Sequence, residues 1–279
     1  MLFSSIPFLY YFLPLVLAVY FLVPRGLKNA VLFASSLLFY AWGEPRFCLF
    51  MLLSILQGYV FGRLIEKNAE NRKWSKIFLT ASVLLSLGLL GYCKYADFFI
   101  SSLNAVTGLS LKLLRVALPI GISFYTFQIL SYVVDVYRGS VPAQKSFLKL
   151  GTYIAMFPQL IAGPIVRYVD VAAQIESRES DPENVFRGVT RFCVGLGKKV
   201  LLADHVGQVA DQLLGGSFTG ATTLGIWLGA LMYMFQIYFD FSGYSDMAIG
   251  MGRIFGFKYP ENFKYPYISK TVSEFWRRW

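Results

Sequence analysis

The sequence predicts an all-α fold, a polytopic bundle of transmembrane helices, and three observations carry that prediction. The first is composition. Hydrophobic residues make up 56% of the 279 positions and charged residues 15%, where a soluble domain averages about 25% charged. A soluble chain of this length leaves too much surface in water to hide so much apolar area. The second is recurrence: seven charge-free apolar runs lie at 1–24, 29–43, 47–62, 77–93, 116–134, 150–166 and 212–239. The third is that the cations fall in short segments between those runs. Together these exclude a soluble enzyme, a secreted disulfide scaffold and a disordered region.

Each run has its own reading. The first has no basic segment before it, and the first charge is Arg25, so it reads as a retained span and not a cleaved leader. The second is short and is expected to be tilted, interfacial or paired with its neighbour. Arg25 and Lys28 follow the first run, and Arg63, Lys67, Arg72, Lys73 and Lys76 cluster after the third. Placing the N-terminus outside puts both groups in the cytoplasm. Arg138, Lys145 and Lys149 then fall on the same side. The net charge of +10 is thus read as topology and attraction to anionic lipid headgroups. No motif of a nucleic-acid-binding fold is present, so membrane lipids are the expected partners and nucleic acid is not.

The second half is less regular. Residues 118–122 (LPIGI) and 157–164 (FPQLIAGP) put Pro and Gly inside apolar runs. Proline removes a backbone donor, and in lipid the freed groups must be met by protein or by a water-filled cavity. Residues 157–164 therefore read as a broken or re-entrant helix lining a cavity, against an ordinary kinked span. Over 185–204, Arg187, Arg191 and Lys198 share one helical face, with Phe192, Val194, Leu196, Val200 and Leu201 supplying apolar surface. An interfacial or cavity-lining amphipathic helix fits; its cations either draw an anionic group or form a solvated face.

Chemistry-bearing residues are few. Cys48, Cys93 and Cys193 lie far apart in apolar stretches and suggest neither a metal site nor a disulfide. The one histidine, His205, has no nucleophile or carboxylate pattern beside it and reads as polar surface. The strongest polar cluster is 236–246 (QIYFDFSGYSD), which continues from the longest charge-free run. Ionisable groups at membrane depth are costly and point to function. Gly243 permits a sharp turn there. Asp240 and Asp246 stand six apart, so a continuous helix points them in different directions and they make a poor carboxylate dyad. They either hold a polar network around a cavity or touch substrate. At the end, Thr271 or Ser273 can cap a helix on which Trp276 and Trp279 share a face beside Arg277 and Arg278. An aromatic belt with headgroup-binding arginines and the entry to an active-site helix both fit.

At these residues the chain resembles the membrane-bound O-acyltransferase family, in its bacterial polysaccharide O-acetyltransferase branch. The resemblance covers the whole chain. It rests on 119–127 (PIGISFYTF), 132–139 (YVVDVYRG), 157–164 (FPQLIAGP), 238–250 (YFDFSGYSDMAIG) and 275–279 (FWRRW), with 3–5 (FSS) and 39–42 (FYAW) near the start. It implies one polytopic domain over 1–279 whose broken helices form a funnel. It implies transfer of acetyl from cytoplasmic acetyl-CoA, used as a substrate and not as a bound cofactor. The acceptor is an exported polysaccharide, reached through an extracytoplasmic partner protein, and the place is the bacterial cytoplasmic membrane. The family's catalytic histidine comes directly after the FWRRW run. The sequence stops at Trp279, one position short, so the resemblance implies a C-terminally incomplete domain with no catalytic residue of its own and no activity alone. Supporting positions carry over as Gln159 and Arg167, then Tyr238, Asp240, Ser242, Tyr244 and Asp246, then Glu274, Trp276, Arg277 and Arg278. Metal ligands are not implied. Alternatives are a D-alanyl transfer protein of teichoic acid from a sister branch, a transporter, or a membrane scaffold without catalysis.

Overall fold

The computed structural model describes residues 2–43, 45–160, 163–164, 166–216 and 222–279. Parts of four expected features lie outside the described residues: position 1 of the first run, positions 161, 162 and 165 of the run 150–166, positions 161 and 162 of the re-entrant segment, and positions 217–221 of the last run. Every regular element among the described residues is helical, as the composition requires. The chain forms two compact units. A terminal unit contains Met1–Leu15, Ala162–Val166 and Ser177–Trp279; a central unit contains Val16–Ile161 and Arg167–Glu176.

The chain opens with a π-helical turn, Pro7–Phe12, that continues into α1 (Leu13–Leu22). The central unit then holds α2 (Lys28–Gly43), α3 (Cys48–Lys67), α4 (Arg72–Thr107), α5 (Ile122–Tyr137), α6 (Phe147–Ala155), α7 (Phe157–Leu160) and α8 (Tyr168–Glu176). Of seven expected runs, three fall on helices long and apolar enough to cross a membrane: Pro45–Lys67, Arg72–Thr107 and Thr223–Ile254. The shortfall has local causes. The 16 residues of α2 and of α5 reach about 24 Å, short of a bilayer core of ~30 Å. The run 116–134 becomes helical only after Gly121, whose φ of 74° lies in the left-handed region that favours glycine. The run 150–166 breaks at Met156, with ψ 114°, just before Pro158. Conversely α4 runs 36 residues, well past the charge-free limit at Cys93.

In the central unit α5 is the inner helix, packed by α3, α4, α6 and α8. Glycines on α3 set the approach: a Cβ on Gly58 would come within 2.9 Å of Ile129, and one on Gly62 within 2.8 Å of Tyr132.

The terminal unit is built on α9 (Pro182–Gly197), a π-helical segment Lys198–Ala203, α10 (Asp204–Leu214), α11 (Thr223–Ile254) and α12 (Val272–Arg278). Asp181 caps α9, its side chain accepting from the Asn184 N–H at 2.6 Å. Thr222 caps α11 through Gly225 at 3.1 Å. One expectation fails here: Gly243 makes no turn, because α11 passes straight through it. The glycine serves packing instead. A Cβ on Gly243 would meet the Gly195 carbonyl at 2.7 Å, and one on Gly188 would meet the Gly250 carbonyl at 2.7 Å. Two glycine pairs thus press α9 and α11 together, antiparallel, backbone against backbone.

Candidate functional site

Close contact between α9 and α11 decides where the charges go. Arg191 on α9 reaches Asp246 on α11, with Nε to Oδ1 3.1 Å and Nη2 to Oδ1 2.8 Å. Lys198, one turn beyond Gly195, donates to the other oxygen, Oδ2, at 2.6 Å. The outer nitrogens of Arg191 grip Glu261, Nη1 to Oε1 at 2.6 Å and Nη2 to Oε2 closer still. The Arg191 side chain is 25% exposed and Asp246 14%, so the network is largely shielded and its charges are weakly screened. The Arg191 guanidinium holds the Glu261 carboxyl below its ordinary value, and Glu261 and then Asp246 hold the guanidinium ever more firmly protonated despite burial.

This network walls a cavity of about 530 Å³. Ser242 and Ser245 also line it, each 2% exposed, and neither hydroxyl has a hydrogen-bond partner among the described residues. Tyr238, Phe263 and Tyr265 supply aromatic wall. Such a chamber, polar and aromatic with free hydroxyls and paired charges, can hold and orient a polar group.

Next to it, α12 is fastened to the segment that follows α11. Thr271 caps it, accepting from the Glu274 N–H at 3.1 Å; Glu274 returns to the Lys270 N–H at 3.0 Å and to Arg278 Nε at 2.9 Å. Lys270, followed by Arg278, holds the Glu274 carboxyl below its usual range. The Lys264 N–H donates to the Arg278 carbonyl at 2.7 Å, and Arg278 Nη1 donates back to the Lys264 carbonyl at 3.1 Å. Trp279 packs among Phe263 (5.0 Å between centroids), Phe275 (5.5 Å), Tyr267 (6.3 Å) and Tyr238 (6.5 Å).

The residues singled out in the sequence divide accordingly. In the terminal unit the structure gathers Tyr238, Ser242 and Asp246 around one cavity, with Glu274 and Arg278 in the adjoining strap. Asp240 turns elsewhere, to Lys199 at 2.7 Å, so the two carboxylates take separate cations. Tyr244 stacks on Phe3 at 4.4 Å, away from the cavity lining. Among the described residues Arg277 bonds back to the Ser273 carbonyl, at 3.3 Å. Trp276 meets Phe275 at 5.4 Å and is 66% exposed, outside the larger ring cluster of Trp279. In the central unit, Gln159 donates to the Tyr153 carbonyl, and Arg167 pairs with Asp135 at 2.6 Å. His205 is exposed, with Nδ1 against the Val200 carbonyl at 3.1 Å.

Glu261 was missed. It stands 70 residues from Arg191, in the segment after α11, and nothing local to it signals a partner. The stripe of Arg191 and Lys198 was the one usable clue, and its solvated-face reading holds only for Arg187, which pairs with Glu183 at the exposed surface. Among the described residues no cluster of His, Cys, Asp or Glu could hold a metal.

Comparison with known proteins adds the lineage. Residues 142–279 match the membrane-bound O-acyltransferase family. Along its whole length the chain is 44% identical to a protein of Pseudomonas syringae pv. tomato named "Probable alginate O-acetylase", covering 54% of that protein. It is 32% identical, again over the whole chain, to the "Peptidoglycan O-acetyltransferase" of Helicobacter pylori, covering 59% of it. A "Teichoic acid D-alanyltransferase" of Bacillus subtilis is 30% identical over 57% of the chain. The chain therefore spans little more than half the length of these first two curated relatives.

Proposed function

The chain belongs to the membrane-bound O-acyltransferase family, and from that premise we propose that it is part of a membrane O-acetyltransferase for an exported polysaccharide. A single observation carries this reading: likeness along the entire chain to proteins named for O-acetylation, at 44% and 32% identity. The D-alanyl reading is weaker, since its likeness covers 57% of the chain. The chain is a membrane protein; the bacterial cytoplasmic membrane is the compartment that acetyl-CoA as donor requires. The partners in this reading are lipid, the polysaccharide and an extracytoplasmic acetyltransferase protein.

The chemistry is acyl transfer from a thioester to a hydroxyl. A base takes the hydroxyl proton as the oxygen attacks the thioester carbon, and the coenzyme thiolate leaves. The family resemblance assigns the reacting histidine to the position beside Trp279. The chain's own residues then act by placement. Arg191, Asp246, Lys198 and Glu261 fix α9, α11 and the segment after it as one frame. Glu274, Arg278 and the Trp279 cluster fix α12 against that frame. Ser242 and Tyr238 line the space beside it. Gln159 and Arg167 take supporting parts in the central unit, and Asp240, Tyr244, Trp276 and Arg277 are assigned places further from the reacting atoms.

The test is genetic and chemical together. Deleting the gene should abolish ester-linked acetyl on the surface polysaccharide, read as acetate released by mild base. Membranes from the intact strain should carry label from acetyl-CoA into that polymer. Unchanged acetate after deletion would sink the proposal.

A further inference from the structure

The central unit carries a polar row that the acyl-transfer reading does not use. Along α5, Tyr125, Gln128, Ser131 and Asp135 follow at intervals of three, three and four residues and so share one side of the helix. Tyr125 is 0% exposed, Gln128 6% and Asp135 2%. Each of the four has a buried side-chain oxygen with no hydrogen-bond partner among the described residues: the Tyr125 hydroxyl, Gln128 Oε1, the Ser131 hydroxyl and Asp135 Oδ2. Buried polar atoms are nearly always hydrogen-bonded, and leaving one unmet costs about 1–3 kcal/mol. Four on one stripe of an inner helix therefore point to a common occupant.

We propose that this stripe holds a file of ordered water molecules that enters the central unit at the Asp135–Arg167 pair. Three features select water. First is spacing. Steps of three or four residues rise about 4.5–6 Å along a helix, and one water bridging two oxygens spans roughly 5.5 Å. Each step fits one molecule. Second is chemistry. Hydroxyl and pure acceptor alternate: Tyr125, then the Gln128 carbonyl, then Ser131, then the Asp135 carboxylate. A water donates to one and accepts from the next, which a ligand with only donors or only acceptors cannot do. Third is an entrance. Asp135 uses Oδ1 on Arg167 at 2.6 Å, with its own side chain 3% exposed and that of Arg167 54%. The pair links the buried row to the surface of the unit. Away from this row on α5, Val133 is 0% exposed and brings no polar side-chain atom.

Radiolytic hydroxyl labelling of the unaltered protein reads this directly, because bound water yields radicals where it sits. Tyr125 should oxidise about tenfold faster than the buried pair Phe39 and Phe157 after correction for intrinsic reactivity, since a hydrated pocket differs from a dry one. Equal, slow rates would overturn the file. A second measurement places cysteines in a background with Cys48, Cys93 and Cys193 replaced by serine. A small cationic thiosulfonate reacts with thiolate, which needs water. Ser131→Cys should be modified and Val133→Cys should not. Both inert, or both equally reactive, would each overturn the proposal, the first by a dry stripe and the second by an α5 wet on every side.

Discussion

Asp246 and Asp135 are both sheltered carboxylates on helices, and the protein answers them in opposite ways. Asp246 receives Arg191 on one oxygen and Lys198 on the other, with Glu261 completing Arg191. Asp135 has one cation on one oxygen, and its second oxygen has no hydrogen-bond partner among the described residues. The first is a network whose charges satisfy one another, so they hold segments in place around the cavity they wall. The second is an open one, and open polar groups at depth are where a molecule from outside can enter. One carboxylate serves the frame and the other is free to meet a guest.

The largest way to break that contrast is Arg191→Met. It takes Arg191 from Glu261 and leaves Asp246 with Lys198 alone, and losing hydrogen bonds to charged groups of this kind costs about 1.5–3 kcal/mol; thermal unfolding in detergent should fall accordingly, with Arg191→Lys recovering part. Next is Gly243→Ala, whose new methyl would sit 2.7 Å from the Gly195 carbonyl. Overpacking of that kind costs about 1–3 kcal/mol, and the same change at Gly88, where a Cβ meets nothing within 4 Å, should cost little.

Acid gives a smaller effect with a definite sign. Arg191 holds Glu261 below the ordinary 4.5. A depressed carboxyl contributes stability in full above 4.5 and loses it as pH falls through the lower folded value. Unfolding midpoints at pH 7 and pH 3.5 should therefore differ more for the unaltered chain than for Glu261→Gln. The Glu261 side chain is 45% exposed, which keeps the difference to about 1 kcal/mol at most. Smallest is Asp240→Asn. Its pair with Lys199 is 52% exposed on the Asp240 side, so the midpoint should shift by less than about 0.5 kcal/mol. A loss near that of Arg191→Met would show Asp240 to be part of a closed network too.

What was legible in the sequence follows the range of the interactions. Helix and membrane class come from composition, and Thr271 was one of two residues whose type suited the cap of α12. Asp240 and Asp246 were rightly set apart, because six residues on a helix do not align. Gly243 was misread because a glycine that meets another helix looks, in one dimension, like a glycine that turns. The Glu261 partner and the ring contacts of Trp279 with Phe263 and Tyr238 were invisible for the same reason: they lie in other segments. The seven runs overcounted long spans because apolar content does not report where Gly121 or Met156 ends a helix.

The paired glycines have one more consequence. On each helix they stand seven residues apart, 188 and 195 against 250 and 243. Sliding α9 along α11 by a single turn, about 5.4 Å, would bring a side chain against each flat spot. The flats realign only after seven residues, roughly 10.5 Å. The two helices therefore engage like a toothed rack with one usable notch, and Arg191 meets Asp246 because that notch admits no slippage.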